Sequence, residues 1–226
     1  MLSAPTRQGD VIIDIPVWNN TFNKKNENIG IKMSGGADSA IMAYMLAIYC
    51  RDENKNGRNL HIFPITSENP PKPYQIIFAK QVISTIEKLT RVKFGTHYTD
   101  VLPNWGEYAL EQNLILEKLY SRKLVDCHFM GENMNPPMDE LNKFKDSGLP
   151  PERNEPSITV SPDGLYYRPL RNVNKKSIFD LYTHFGVLDT LFPFTRSCEQ
   201  LTHQFSKHCG ECCFCEERLW GFGRIV

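Results

Sequence analysis

The run "IGIKMSGGADSAIMAYMLAIYC", residues 29–50, commits this part of the chain to a short apolar strand, a tight turn and a helix. Two glycines between strand and helix let the backbone bend sharply and present its N–H groups at a helix N-terminus, an arrangement that binds anions. Ser34 and Ser39 add hydroxyl donors, and Asp38 is a carboxylate able to hold Mg²⁺ against phosphate oxygens. Ser34, Gly35, Gly36, Ala37, Asp38 and Ser39 together suit a pyrophosphate. They lack the Gly-Lys-Ser/Thr ending that grips a γ-phosphate from within a loop.

The strand–helix theme repeats along the chain. The first helix is expected from about Asp38 to Cys50, with a polar loop, "RDENKNGRN", after it. "LHIFPIT" (60–66) reads as a strand, and "PYQIIFAKQVISTIEKLT" (73–90) as an amphipathic helix opened by proline. A third strand lies within "VKFGTHYT". A helix over about Glu107–Lys123 carries Leu110, Leu114, Ile115 and Leu119 at helical spacing. "VDCHFMG" (125–131) is a fourth strand, with Cys127 in its interior and His128 on its face; "LYYRPL" supplies a fifth. "NKKSIFDLYTHFG" (174–186) is a helix capped by Asn174 and ended by Gly186. Such alternation predicts a parallel sheet covered by helices.

Three segments stand outside this rhythm. Residues 1–28 are read as an N-terminal arm, with an edge strand around Val11–Val17. Residues 134–165 carry six prolines and few apolar side chains, the character of a lid that orders over a substrate. Residues 195–226 hold five of the seven cysteines. The α/β domain proper is then 29–194.

Cys198, Cys209, Cys212 and Cys215 follow the pattern C-x10-C-x2-C-x2-C, four thiolates close enough to surround a tetrahedral zinc ion. A closed four-sulfur site is structural. An iron–sulfur cluster fits the same spacing, and Cys213 competes with Cys212 as a ligand. Cysteines gathered in this way point to metal and a reducing compartment rather than a secreted disulfide framework. With no leader-like or membrane-spanning stretch in view, the expectation is a cytoplasmic protein. Lys plus Arg equals Asp plus Glu at 26 each, so nucleic acid is not an expected partner.

The loop Ser34–Ser39 resembles the SGGxDS signature of the PP-loop ATP pyrophosphatases. That resemblance implies a Rossmann-like five-stranded parallel sheet and ATP chemistry: an acceptor oxygen is adenylated, pyrophosphate leaves, and a nucleophile displaces AMP. Within that class the C-terminal third is similar to the 7-cyano-7-deazaguanine synthase family of queuosine biosynthesis. Pro169-Leu170 precede a helix begun by Lys175 and carrying Ile178. Thr195, Ser197 and Cys198 match "T-x-SC"; Cys209-Gly210, Cys212, Cys215 and Arg218 match "CGxCxxCxxR", with Phe222 after.

The resemblance implies roles. Lys175 would contact ATP phosphates, Arg218 a phosphate or the acceptor, and Gly131 and Asn133 would lie beside the nucleotide. Cofactors would be ATP, Mg²⁺ and a structural Zn²⁺. The partners would be free ammonia and a small carboxylate acceptor such as 7-carboxy-7-deazaguanine, and a homodimer is compatible with the family. Three stretches depart from the synthase pattern: "LPNWGEYAL" for "PxRN", "SENPPKPY" for "YGQ", and residues 134–157 for "GYPDC". Since these shape the acceptor pocket, a carboxylate amidation on another acceptor is an alternative. So are tRNA base thiolation or amidation and a non-catalytic nucleotide- and zinc-binding adaptor.

Overall fold

The computed structural model describes residues 1–68, 73–101, 108–137, 139–141, 153, 155–200 and 204–225, without the side chains of 108–113. Five strands form the central sheet: β5 (Asn28–Lys32), β6 (His61–Glu68), β7 (Tyr98–Val101), β8 (Cys127–Phe129) and β9 (Tyr166–Tyr167). Their order is β7-β6-β5-β8-β9, and every pairing is parallel. The chain therefore winds outward from β5 to one edge and then, from β8, to the other. The reversal opens a crevice at the carboxyl ends of β5 and β8, where open α/β sheets bind ligands.

The helices are α1 (Ala37–Lys55), α2 (Gln75–Thr90), α3 (Tyr108–Ser121), α4 (Lys175–His184) and α5 (Cys213–Phe222). α1 is the innermost. Ala40, Ile41, Met42, Ala43, Met45, Leu46 and Ala47 are fully buried, so apolar side chains wrap around it rather than forming one stripe. Ile29 and Ile31 of β5 join the same core, with Leu181 and Tyr182 of α4 and Phe222 of α5. A second, smaller cluster of Ile65, Ile115, Leu116, Leu119 and Val125 fills the other side of the sheet under α3.

Three expectations need correction, the first being the third strand, read within "VKFGTHYT", which begins only at Tyr98 and runs on to Val101. α1 runs on to Lys55, through residues read as a loop, because Arg51, Glu53 and Lys55 are competent helix formers on an outer turn. Asp52 pairs with Arg51 and Lys55 there, and the stop comes at Asn56-Gly57, where Gly57 has φ +91°. The N-terminal strand does not extend the central sheet. β2 (Val11–Ile13) pairs antiparallel with β1 (Leu2–Ala4), and a further hairpin joins β3 (Trp18–Asn19) to β4 (Lys24–Lys25).

The arm is nonetheless tied down. Ala4, Val11, Ile13 and Ile15 are buried in the main core, and the Ile15 N–H donates to the Tyr49 hydroxyl on α1. Asp126, 1 % exposed, accepts from the N–H groups of Glu27 and Asn28 and pairs with Lys24 at 2.6 Å. Residues 142–152 and 154, the centre of the proline-rich lid, lie outside the described residues. So do most of the "LPNWGEYAL" and much of the "SENPPKPY" stretches.

Candidate nucleotide and metal sites

At the end of β5 the chain turns through Ser34-Gly35-Gly36 into α1. Gly35 has φ +77°, and a Cβ there would stand 2.5 Å from the Phe78 Cβ of α2, so both torsion and space demand glycine. The turn is braced from within. Ser39 Oγ donates to the Gly36 carbonyl at 3.1 Å and accepts from Ser34 N at 3.3 Å, while Gly36 N donates to Ser34 Oγ. From outside, Arg196 N donates to the Gly35 carbonyl at 2.9 Å. Gly131, past the end of β8, lies so close that a Cβ would meet Ser39 N at 2.7 Å. The loop is a rigid bracket at the sheet's reversal point.

Lys175 reaches this bracket from the first turn of α4. Its Nζ donates to Asp38 Oδ2 at 2.5 Å and lies 3.4 Å from Glu217 Oε2 of α5. Lys175 is 4 % exposed and Glu217 5 %. Burial alone would lower the lysine's pKa, but the Asp38 and Glu217 carboxylates outweigh it and the net shift is upward. Burial also raises the Glu217 carboxyl. Asp38 Oδ1 and Glu217 Oε1 are buried without a hydrogen-bond partner among the described residues. Two orphaned, hard carboxylate oxygens beside this loop are the kind of donor that Mg²⁺ takes.

Two cavities open on these groups. One, of about 170 Å³, is lined by Lys32, Ser34, Asp38, Ser39, Ser67 and Gly131 among others. The second, of about 160 Å³, is lined by Gly36, Asn133, Arg153, Lys175, Arg196 and Glu217, among others. Ser34, Asp38 and Gln75 border both, making them two ends of one cleft. Asn133 is 3 % exposed, and Arg153 holds it by donating to its carbonyl and side-chain oxygens at 2.8 Å.

The structure thus brings Ser34, Gly36, Asp38, Ser39, Gly131, Asn133 and Lys175 around one cleft. Gly35 and Ala37 line neither cavity: Gly35 packs against α2, and Ala37 is buried with its carbonyl accepting from the Tyr182 hydroxyl. Arg218 is placed differently. It is 1 % exposed, stacks over the Phe192 ring at 3.8 Å and donates to the carbonyls of Phe192 and Thr195 and to Ser197 Oγ. Burial lowers its pKa to about 10. It does not line either cavity among the described residues. These contacts make it a strut beneath the Thr195–Cys198 segment.

Sequence reading missed Glu217, Arg196, Arg153 and Lys32. Glu217 sits between two residues it did single out, Cys215 and Arg218, and Arg196 between Thr195 and Ser197. Lys32 left a clear signal, a lone charge ending an apolar strand.

The four cysteines converge. The sulfurs of Cys198, Cys209, Cys212 and Cys215 all lie within 4.8 Å of one another. Cys209–Cys215 is 3.8 Å and Cys212–Cys198 4.0 Å; a tetrahedral site with Zn–S near 2.3 Å has sulfurs about 3.8 Å apart. Backbone N–H groups of Gln200 and Cys209 point at Cys198 Sγ, and those of Glu211 and Cys212 at Cys209 Sγ, the donors a metal thiolate needs. The residues fit a zinc ion. Cys213 opens α5 outside this group, and burial pushes its thiol up to about 11.

No family model matches the chain, and no curated protein matches it. Among solved structures, NAD+ synthetase from Burkholderia pseudomallei superposes with a TM-score of 0.46 at 9 % identity. The match covers 89 % of this chain and 76 % of that one. No helix among the described residues is long and apolar enough to cross a membrane.

Proposed function

We propose that the chain is an ATP-dependent adenylating ligase that forms a carbon–nitrogen bond and releases AMP and pyrophosphate. The observation that carries this reading is the meeting of two motifs 137 residues apart: Lys175 bonds Asp38 of the Ser34–Ser39 loop at the sheet's reversal point. The loop offers backbone and hydroxyl donors to a pyrophosphate and no lysine of its own, and Lys175 supplies that charge from another helix. The resemblance to 7-cyano-7-deazaguanine synthases supports 7-carboxy-7-deazaguanine as acceptor, ammonia as nitrogen source and the nitrile as product.

In this mechanism an acceptor carboxylate oxygen attacks the α-phosphorus of ATP, and the bond from that phosphorus to the β-phosphate oxygen breaks. Ser34, Ser39 and the loop amides hold the departing pyrophosphate, with Lys175 beside it. Ammonia then adds to the acyl carbon, AMP leaves and a proton is lost, giving the amide; a second adenylation on the amide oxygen leads to the nitrile. Asp38 and Glu217 would hold Mg²⁺, which screens phosphate charge. Lys175 is neutralised by those same carboxylates in the free chain. Their engagement with a divalent cation would free its ammonium for phosphate, coupling metal and nucleotide binding. Arg153 and Asn133 border the acceptor end of the cleft.

The test is to incubate the protein with ATP, Mg²⁺, ammonia and 7-carboxy-7-deazaguanine, resolving nucleotides by chromatography and the acceptor by mass. AMP, pyrophosphate and a nitrile or amide product are expected. ADP with orthophosphate overturns adenylation. AMP formation with a different carboxylate keeps the ligase and changes its substrate.

A further inference from the structure

Lys32 is the last residue of β5, and strand alternation puts it on the same face as Gly30, opposite Ile29 and Ile31. A Cβ at Gly30 would touch Ile65, Val125 and His128, so this face is the one covered by the smaller apolar cluster. Two residues further on the cover ends, and the Lys32 side chain lines the cavity it shares with Ser34, Asp38, Ser39 and Gly131.

The acids nearby are already engaged. Asp38 is taken by Lys175 at 2.5 Å, and Glu132 by Arg168 at 3.4 Å and Arg171 at 3.3 Å. Among the described residues no hydrogen bond or ion pair reaches the Lys32 ammonium. Burial brings its pKa down to about 8, with Glu132 opposing from a distance. A partly buried ammonium that lines a cavity without a counterion has as its natural complement a full negative charge brought by a ligand. The same cavity is lined by Ser34 and Ser39, whose hydroxyls can rotate to donate to a phosphate.

We propose that Lys32 binds the 5′-phosphoryl group of a nucleotide held in this cavity, and so makes the site select nucleoside phosphates over nucleosides. The assignment rests on the nucleotide-binding function proposed for the cleft and adds a residue to it. The loop and Lys175 take the phosphates that leave. Lys32, from the strand, takes the phosphoryl group that stays with the nucleoside.

Calorimetric titration of the full chain with AMP, adenosine and pyrophosphate, in Mg²⁺, tests this. Wild type should prefer AMP to adenosine. Lys32→Met should weaken AMP roughly 10- to 100-fold, the worth of one charged hydrogen bond, while adenosine and pyrophosphate change little. Lys32→Arg should keep most of the preference for AMP, which a merely structural role would not require. Circular dichroism confirms that each variant folds. An unchanged AMP-to-adenosine ratio in Lys32→Met overturns the assignment. Equal loss for both ligands also overturns it, since that indicates a contact to base or ribose. If wild type binds pyrophosphate yet shows no preference for AMP, Lys32 alone is wrong. If it binds none of the three ligands, the nucleotide reading fails with it.

Discussion

With its ammonium 2.5 Å from Asp38 and 3.4 Å from Glu217, Lys175 neutralises two carboxylates that would otherwise repel across a buried cleft. α5 is fitted to it as closely as Asp38 is: a Cβ at Gly221 would lie 2.3 Å from Lys175 Cγ. Lys175→Met should therefore destabilise the fold by about 3 kcal/mol, because the buried Glu217 and the partly buried Asp38 lose their partner. Adding Glu217→Gln should recover part of that stability without recovering turnover, measurable by urea denaturation beside AMP release. Recovery of turnover in the double variant would show that the lysine serves stability alone. Glu217→Gln by itself should fold and need at least ~10-fold more Mg²⁺ for half-maximal turnover, as expected for a lost cation ligand. Of these three residues, Asp38 and Lys175 were legible from motif position. Glu217 was not, since nothing in a linear pattern shows that an acid on the last helix faces the first.

At the scale of elements, periodicity and caps gave reliable guidance where local chemistry decides. Asn174 is the N-cap of α4, accepting from the N–H groups of Lys176 and Ser177, and Gly186 follows the helix with φ +65°. Guidance failed where long-range packing decides. β2 looks like any half-buried strand, and only the surface of α1 selects a separate hairpin over an added edge. That arm also does something its sequence does not announce. Gln8 Oε1 accepts from Asn174 N at 2.7 Å and from Ser177 Oγ at 2.8 Å, while Arg7 grips Asp180 further along the same helix. The arm thus caps and clamps the helix that carries Lys175. Gln8→Ala should cost about 1 kcal/mol, a fall of roughly 2–4 °C in Tm for a chain of this size. An unchanged melting curve would mean that water replaces the side chain without loss.

For the whole molecule, the order β7-β6-β5-β8-β9 gathers residues from the first and last thirds of the chain at the carboxyl ends of the central strands. Strand alternation predicts a parallel sheet, but not which strands become neighbours, so the cleft's composition was only partly readable in advance. The cysteine site belongs to this same assembly. Arg196 and Ser197, which line the cleft, directly precede Cys198, and Glu217 follows Cys215 by two residues. Cys209→Ser should lose bound zinc, measured by elemental analysis, and destabilise the C-terminal segment, because metal affinity is folding energy there. Cys213→Ser should keep the metal. Loss of metal from the Cys213 variant would place that thiol among the ligands. Since the sulfurs and the cleft share a backbone, an unmetallated chain should keep its sheet and lose its grip on Gly35 and Lys175. The number of working molecules in a preparation should then equal its count of zinc atoms, with each molecule either fully competent or silent.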